Sequence, residues 1–451
     1  MSPVVATVGP QQYGGKILGF NINVTAVLDP LNASPFFFPG TIHKLSNGLT
    51  VIHHQIVTVP IVTVDVWVKA GARTEPEAWS GMAHFLEHMI FKGSDRIPPG
   101  YFDQIIENHG GTTNAATSHD YTHFFINVAT PYLASALDCF AELLLNSAIP
   151  DDEFIRERDV VLEELHQSLD DPDWVGFQAL MESVYPNHPY GRSVLGTEAT
   201  LLGQSPEDMR QFHRYYYQPE NMTIVVVGDV DWSETIDLVN RSFSRFSPPP
   251  RSVLTDEIAQ PLPLGRCRQE LGLCRLEQAR LLMAWTAPGI THLRDAYGLD
   301  ILSVAVAGGR TSQLVQELRE EKQLVQAIGS DFSLQQDSSL FSISVWLEPQ
   351  YLEEVEALIC DRLHQFAHTP MTDKELNRYQ RLLCNDYTFS TETGSQLAGL
   401  YGYYNTLANA ELALCYPHYI QSFGVDELQT LAHQYLSPES YAVTTLRPID
   451  P

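Results

Sequence analysis

One local pattern occurs twice in this chain: an alternating strand, a proline that opens an apolar helix, and a second proline that precedes another helix. The copies lie 219 residues apart when Tyr132 and Tyr351 are taken as equivalent (351 − 132). The predicted elements are residues 125–128, 131–145 and the helix after Pro150, then residues 341–345, 349–366 and the helix after Pro370. This order is common and can recur by chance, but a repeat at one offset indicates a duplicated α+β unit.

A proline-rich stretch separates the two copies. At 451 residues the chain exceeds what one hydrophobic core usually holds, so two or more domains are expected. Prolines 248–250, Pro261 and Pro263 interrupt all periodicity, as a linker does. We predict an α+β protein of two homologous α/β sandwich domains. The predicted boundaries are an N-terminal extension (1–39), a first domain (40–246), a linker (247–264) and a second domain (265–451).

The segment from His84 to His88 carries the most specific chemistry. Positions four apart share one face of a helix, so His84 and His88 can bind a common ion, with Glu87 beside them. His-x-x-Glu-His is the inverted zincin signature, in which the glutamate is the general base. So short a pattern can also arise by chance on a helix that merely carries two histidines. Its apolar flanks, however, predict a buried helix, where unpaired charge is costly and metal coordination compensates.

A catalytic zinc usually has three protein ligands, so a third ligand must lie elsewhere. The acidic helix predicted after Pro150 places Glu157 and Glu164 seven residues apart, on one face, while Glu163 is rotated by about 100°. We therefore predict Glu164 as the ligand and Glu157 as the residue that orients a ligand or the water at the metal. The alternative is an acidic helix whose charges are simply solvated.

These residues, together with several other motifs, resemble the pitrilysin-type, or inverzincin, zinc metallopeptidases. The length and layout are most similar to the mitochondrial processing peptidase branch and its bacterial relatives. The motifs that carry the resemblance besides the histidine segment and Glu164 are residues 47–51, 68–73, 110–115 and 307–312. The resemblance therefore runs from about residue 40 to the end of the chain.

The resemblance implies a clamshell that encloses a peptide between homologous domains, with Zn²⁺ in the first. The second half has no His-x-x-Glu-His segment, so it cannot hold a second zinc of this kind. It also implies that the strand containing Asn114, Ala115 and Ala116 lies by the zinc and binds substrate. An exposed strand edge can pair with a peptide backbone, although the same residues can equally form a plain polar hairpin.

The second half departs from the family pattern at one position. Family members that complete their own site carry an arginine and, seven residues later, a tyrosine that steady the substrate carbonyl and the tetrahedral intermediate. Arg319 matches the arginine, but residue 326 is glutamine. Glutamine can donate a hydrogen bond but lacks the rigid reach of a phenol. The resemblance therefore implies a dimer, in which a homologous subunit could supply the arginine–tyrosine pair.

Composition excludes several other functions. The formal net charge of −28 (27 basic minus 55 acidic residues) argues against binding to nucleic acid or anionic membrane. No apolar run approaches the roughly 18 residues that span a bilayer, and residues 1–20 resemble neither a secretory signal nor a transit peptide. The six cysteines form no Cys-x-x-Cys pair, which indicates reduced thiols and a cytoplasmic protein.

The sequence thus predicts a zinc-dependent endopeptidase acting on peptides or short unfolded polypeptides. His84, His88 and Glu164 would hold the ion, Glu87 would be the general base, and Glu157 and Arg319 would assist. The alternative is a catalytically weak or silent subunit of a heterodimeric processing peptidase. An intact ligand set favours the enzyme, because a scaffold has no physical need of Glu87.

Overall fold

Two helix-covered β-sheets make up the computed structural model, which describes residues 38–249, 265–274 and 276–449. This confirms the predicted α+β class with two domains. Most of the predicted N-terminal extension and linker falls outside the described residues, so those boundaries stay predictions. Within the described residues, no helix combines the length and the apolar composition needed to cross a membrane.

The first half builds a six-stranded mixed sheet in the order β1-β2-β6-β3-β5-β4. Its strands are β1 (Thr41–Lys44), β2 (Thr50–Gln55), β3 (Ile61–Val68), β4 (Thr112–Thr117), β5 (Thr122–Ala129) and β6 (Met222–Gly228). Its helices are α1 (Met82–Ile90), α2 (Tyr101–Asn108), α3 (Leu133–Asn146), α4 (Asp151–Leu169), α5 (Pro172–Val184), α6 (Glu198–Gly203), α7 (Pro206–Tyr216) and α8 (Trp232–Ser242). This order leaves β4 at an edge of the sheet.

The second half builds a five-stranded sheet in the order β7-β11-β8-β10-β9. Its strands are β7 (Cys267–Leu273), β8 (Ala279–Pro288), β9 (Val325–Ser333), β10 (Ser338–Leu347) and β11 (Ala442–Pro448). Its helices are α9 (Leu293–Ala307), α10 (Leu352–His368), α11 (Asp373–Phe389), α12 (Gly394–Leu407), α13 (Leu412–Gln421) and α14 (Val425–Tyr435). Helices α3 and α10, which follow equivalent strands, begin 219 residues apart (352 − 133). The offset read from the sequence is therefore present in the fold.

Each half covers the other half's sheet with one helix. Helix α5 packs on β7, β8 and β11, and α12 packs on β3 and β6. Gly402 on α12 lies against the indole of Trp67 on β3, where a side-chain carbon at residue 402 would overlap the ring. Close approach of this kind is a physical reason for glycine within a helix. The two halves consequently share a continuous apolar core that contains both Trp67 and Tyr401.

Candidate metal and catalytic site

Helix α1 carries the two histidines at the surface of the first core. Phe85, Leu86 and Met89 are buried in that core and fix the rotation of the helix. His84 and His88 then share the face that looks towards α4, and their ring centroids are 4.8 Å apart. The i,i+4 spacing therefore brings the two imidazoles together as predicted.

Glu164 on α4 lies opposite both imidazoles. Its Oε2 is 3.7 Å from Nε2 of His84 and 3.5 Å from Nε2 of His88. One ligand atom from each of these three residues lies within 4.8 Å of the other two. Two imidazole nitrogens and a carboxylate oxygen are ligands that zinc prefers, and three protein ligands leave a fourth position open. The donor set therefore fits a catalytic zinc.

Glu157 lies two helical turns before Glu164 on the same face of α4. Its Oε1 is 3.0 Å from Nδ1 of His88, and its Oε2 is 2.5 Å from Nζ of Lys92. A carboxylate at Nδ1 fixes the orientation and tautomer of an imidazole and leaves Nε2 for a metal. Glu163 lies on the exposed side of α4. The structure thus brings together Glu157, Glu164 and the histidines, and leaves Glu163 outside.

Without a metal, the charges in this cluster divide unequally. Burial and the neighbouring His88 lower the pKa of His84 to about 4. Burial alone would lower the pKa of His88 as well, but hydrogen bonds to Glu157 and Glu164 raise it to about 10. For Glu164 the same contact with His88 outweighs burial and lowers the pKa of the carboxyl. The acidic groups are therefore held as carboxylates, the form that binds a cation.

Glu87 is placed beside the ligands by β4. The Oγ1 of Thr117, the last residue of β4, donates a hydrogen bond to Glu87 Oε2 at 2.5 Å and lies 3.3 Å from Oγ1 of Thr122. Thr122 in turn donates to the carbonyl oxygen of Ala70 at 2.8 Å. Burial raises the pKa of Glu87, although the hydrogen bond from Thr117 opposes the shift. A raised carboxyl pKa suits a general base that must also return a proton.

The predicted substrate-binding residues lie on an exposed strand edge. Among the described strands, β4 pairs only with β5. Asn114 is exposed, and its Oδ1 accepts the N–H of Ala115 at 2.9 Å. Ala115 and Ala116 are half-buried and have small side chains. The edge strand expected from the sequence is present, and its use for peptide binding stays a prediction.

Arg319 is not brought to this cluster. It lies in a π-helical segment (Val315–Glu321), where its Nη2 is 2.6 Å from Oε1 of Glu320. Gln326 is an exposed residue of β9, at the edge of the second sheet. Within the described part of the chain, no hydrogen bond or ion pair links either residue to the histidines or Glu87. Neither side chain completes the candidate site within this chain.

Two residues at the site were missed by sequence reasoning. Lys92 follows α1 and binds Glu157, and Thr117 binds Glu87. The position of Lys92, four residues after His88, was a usable signal because residues four apart share a helix face. Thr117 gave no such signal, because its contact with Glu87 spans 30 residues and depends on how α1 packs on the sheet.

Comparison with known proteins identifies the family. The insulinase family model, peptidase family M16, matches residues 50–198, and the model described as the peptidase M16 inactive domain matches residues 204–383. A Helicobacter pylori protein named zinc protease PqqE is 29% identical over 419 residues, covering 90% of this chain and 92% of its own. A Mycobacterium leprae protein described as an uncharacterized zinc protease is 30% identical over 414 residues, covering 90% of this chain and 91% of its own.

Solved structures show the same fold. The crystal structure of a protease from Helicobacter pylori superposes with a TM-score of 0.86 at 27% identity and covers 91% of this chain and 100% of that one. The periplasmic protease PqqL from Escherichia coli reaches 0.75 at 19% identity over 93% of this chain and 48% of that one. These matches, together with the sequence relatives, confirm the resemblance and the two-domain fold. The chain therefore belongs to the pitrilysin-type peptidases of family M16.

Proposed function

We propose that this chain is a zinc-dependent endopeptidase that hydrolyses peptides or short unfolded polypeptides. The observation that carries the proposal is the convergence of His84, His88 and Glu164, whose ligand atoms lie within 4.8 Å of one another. Glu87 stands beside them on the same helix, held by Thr117. Relatives named zinc protease support the same activity.

The residues divide the work in the following way. Zinc, when bound by His84, His88 and Glu164, would polarise the scissile carbonyl and lower the pKa of water from near 16 towards about 7. Glu87 would accept the proton of the attacking water and later deliver it to the leaving amine. Glu157 would hold His88 through Nδ1, so that the imidazole keeps its orientation during turnover.

The edge strand β4 is proposed to bind the substrate. A peptide that pairs with the free edge at Asn114, Ala115 and Ala116 would extend the sheet by one strand. Main-chain hydrogen bonds supply affinity without demanding a particular sequence, and the small alanine side chains leave room for substrate side chains. Because Thr117 ends the same strand and binds Glu87, a bound peptide would lie next to the base.

A second candidate function follows from Gln326 and Arg319. Because Arg319 is paired with Glu320 and residue 326 lacks a phenol, the chain could serve as a weakly active or silent subunit. On this proposal it forms a dimer with a homologous chain that supplies the arginine–tyrosine pair. A cytoplasmic location is proposed with it, supported by six cysteines that are all free thiols.

The test is to purify the chain, measure bound zinc, and assay hydrolysis of unstructured peptides before and after chelation. The proposed enzyme binds about one zinc per chain, loses activity on chelation and regains it when zinc is restored. A chain that binds zinc yet hydrolyses peptides only when mixed with a homologous subunit supports the second candidate. A chain that binds no zinc when folded contradicts both.

A further inference from the structure

The start of helix α1 is capped from outside the helix. The first turn of any α-helix leaves backbone N–H groups without partners inside the helix, and a Ser, Thr, Asp or Asn side chain at the N-cap usually accepts one of them. In α1 the N-cap is Gly81, which has no side chain, and the first turn contains no acidic residue. The N–H groups at this end therefore need another acceptor.

Glycine at position 81 is enforced by its surroundings. Its φ of +89° lies in the left-handed region, which residues with a side chain rarely adopt. A side-chain carbon there would also come within 2.7 Å of the carbonyl oxygen of Leu195. The helix thus begins where two chain segments cross closely, at a place where an ordinary capping residue does not fit.

Glu75 supplies the missing acceptor. Its Oε2 accepts the N–H of Gly81 at 2.9 Å, and its Oε1 accepts the N–H of Ala83 at 2.7 Å. The residue is only 3% exposed, so both hydrogen bonds form away from water. A carboxylate at this end of a helix also interacts favourably with the helix dipole. One side chain therefore performs both parts of an N-cap.

Glu75 is itself held in place. Its carbonyl oxygen accepts a hydrogen bond from Nη2 of Arg192 at 3.2 Å, and the preceding carbonyl, that of Thr74, accepts one from the hydroxyl of Tyr216 at 2.7 Å. These contacts fix the backbone on both sides of the Glu75 peptide unit. The carboxylate is thus an anchored acceptor, and its position determines where α1 begins.

We propose that Glu75 is a positioning residue of the metal site, which sets the first turn of α1 and through it the place of His84. His84 directly follows Ala83, whose N–H Glu75 holds, and His88 lies one turn further on. A shift of the first turn would therefore move an imidazole relative to Glu164 on α4. This inference rests on the proposed zinc-binding function.

The variant Glu75→Gln tests the proposal because it keeps the size of the side chain. Its amide oxygen still accepts one N–H, but its NH₂ group cannot accept the other and meets it donor to donor. Glu356→Gln is the matched control. Glu356 is a buried carboxylate, 5% exposed, in the second half, where it accepts the hydroxyl of Tyr441 at 2.7 Å.

Zinc dissociation constants are measured by competition with a chelator, together with thermal unfolding of the zinc-free proteins. We expect Glu75→Gln to weaken zinc binding about 10- to 100-fold, the range seen when groups supporting metal ligands are lost. At saturating zinc its kcat falls while KM is unchanged. Glu356→Gln is expected to lower the unfolding temperature and to bind zinc like the wild type.

Wild-type zinc affinity in a folded Glu75→Gln protein overturns the proposal. A comparable loss of zinc affinity in Glu356→Gln also overturns it, because the effect would then be one of general stability. If Glu75→Gln does not fold, Glu75→Asp, which keeps the charge but withdraws the carboxylate by one methylene, decides by the same measurement. Absence of zinc binding in the wild type itself contradicts the proposed function instead, so the two failures are distinguishable.

Discussion

Glu157 and His88 form a hydrogen bond of 3.0 Å between Oε1 and Nδ1, and this bond leaves Nε2 of His88 towards Glu164. Because Glu157 and Glu164 share one face of α4, a single helix provides both a candidate ligand and the group that orients another. The exposed Glu163 lies between them in sequence but off this face. The three glutamates therefore form a natural series for mutation.

Replacing each glutamate by glutamine is expected to give three different zinc affinities. Glu164→Gln removes a ligand and is expected to weaken zinc binding most. Glu157→Gln removes the partner of His88 and is expected to cost about 10–100-fold. Glu163→Gln is the control and is expected to leave the affinity unchanged. Competition with a chelator measures all three, and an effect of Glu163→Gln equal to that of Glu164→Gln would refute the assigned register.

Thr117→Val is expected to lower kcat while leaving zinc content unchanged. Valine has nearly the shape of threonine but cannot donate the 2.5 Å hydrogen bond to Glu87. A hydrogen bond to a charged group typically contributes about 1.5–3 kcal/mol, so the loss corresponds to roughly 10- to 100-fold in kcat. Thr117→Ser keeps the hydroxyl and is expected to retain most activity. Equal kcat values for the valine and serine variants would exclude this role.

Gln326 leads to a prediction about the isolated chain. With its arginine paired to Glu320 and no tyrosine at residue 326, the chain alone is expected to bind zinc normally but to cleave peptides poorly. Loss of one donor to a developing oxyanion typically costs about 2.7–4 kcal/mol, or 10²–10³ in turnover. A homologous chain carrying the arginine–tyrosine pair should restore activity when mixed in. Robust turnover of the chain alone, unimproved by Gln326→Tyr or by any partner, would show that the site needs no such pair.

Asp120 predicts a pH dependence of stability. Burial raises its pKa to about 6, although the N–H of Gln336 and the nearby Arg73 oppose the shift. The reference pKa of an unfolded aspartate is about 3.9. Between about pH 4 and pH 6 the folded chain therefore binds more protons than the unfolded chain, and this group makes stability fall as pH rises through that window. Asp120→Asn is expected to remove this part of the dependence, whereas Asp138→Asn, an exposed control, should not. Denaturant unfolding from pH 4 to 7 measures it, and an unchanged profile in Asp120→Asn would contradict the assignment.

Local periodicity was enough to predict much of this fold and site. The register of α4, with Glu157 and Glu164 inward, follows from a spacing of two helical turns and needs no knowledge of the partner helix. The edge strand containing Asn114 and the offset of 219 residues between α3 and α10 were likewise readable from local pattern. These features depend on residues close together in the chain.

Long-range contacts were not predictable in the same way. Trp67 meets Gly402 across 335 positions (402 − 67), and no local pattern announces that α12 covers the first half's sheet. The capping of Gly81 by Glu75 was missed because the acceptor lies outside the helix it caps. In each case the tertiary packing decides which groups meet, and one sequence does not encode the pairing locally.

The central claim is that zinc and Glu87 act together but separately, the metal held by three other residues. The most direct measurement compares zinc content and peptide hydrolysis for the wild type and Glu87→Gln under identical conditions. The account predicts about one zinc per chain in both proteins and a loss of hydrolysis in Glu87→Gln of at least 10²–10⁴-fold. Hydrolysis at the wild-type rate by a zinc-loaded Glu87→Gln protein would contradict it.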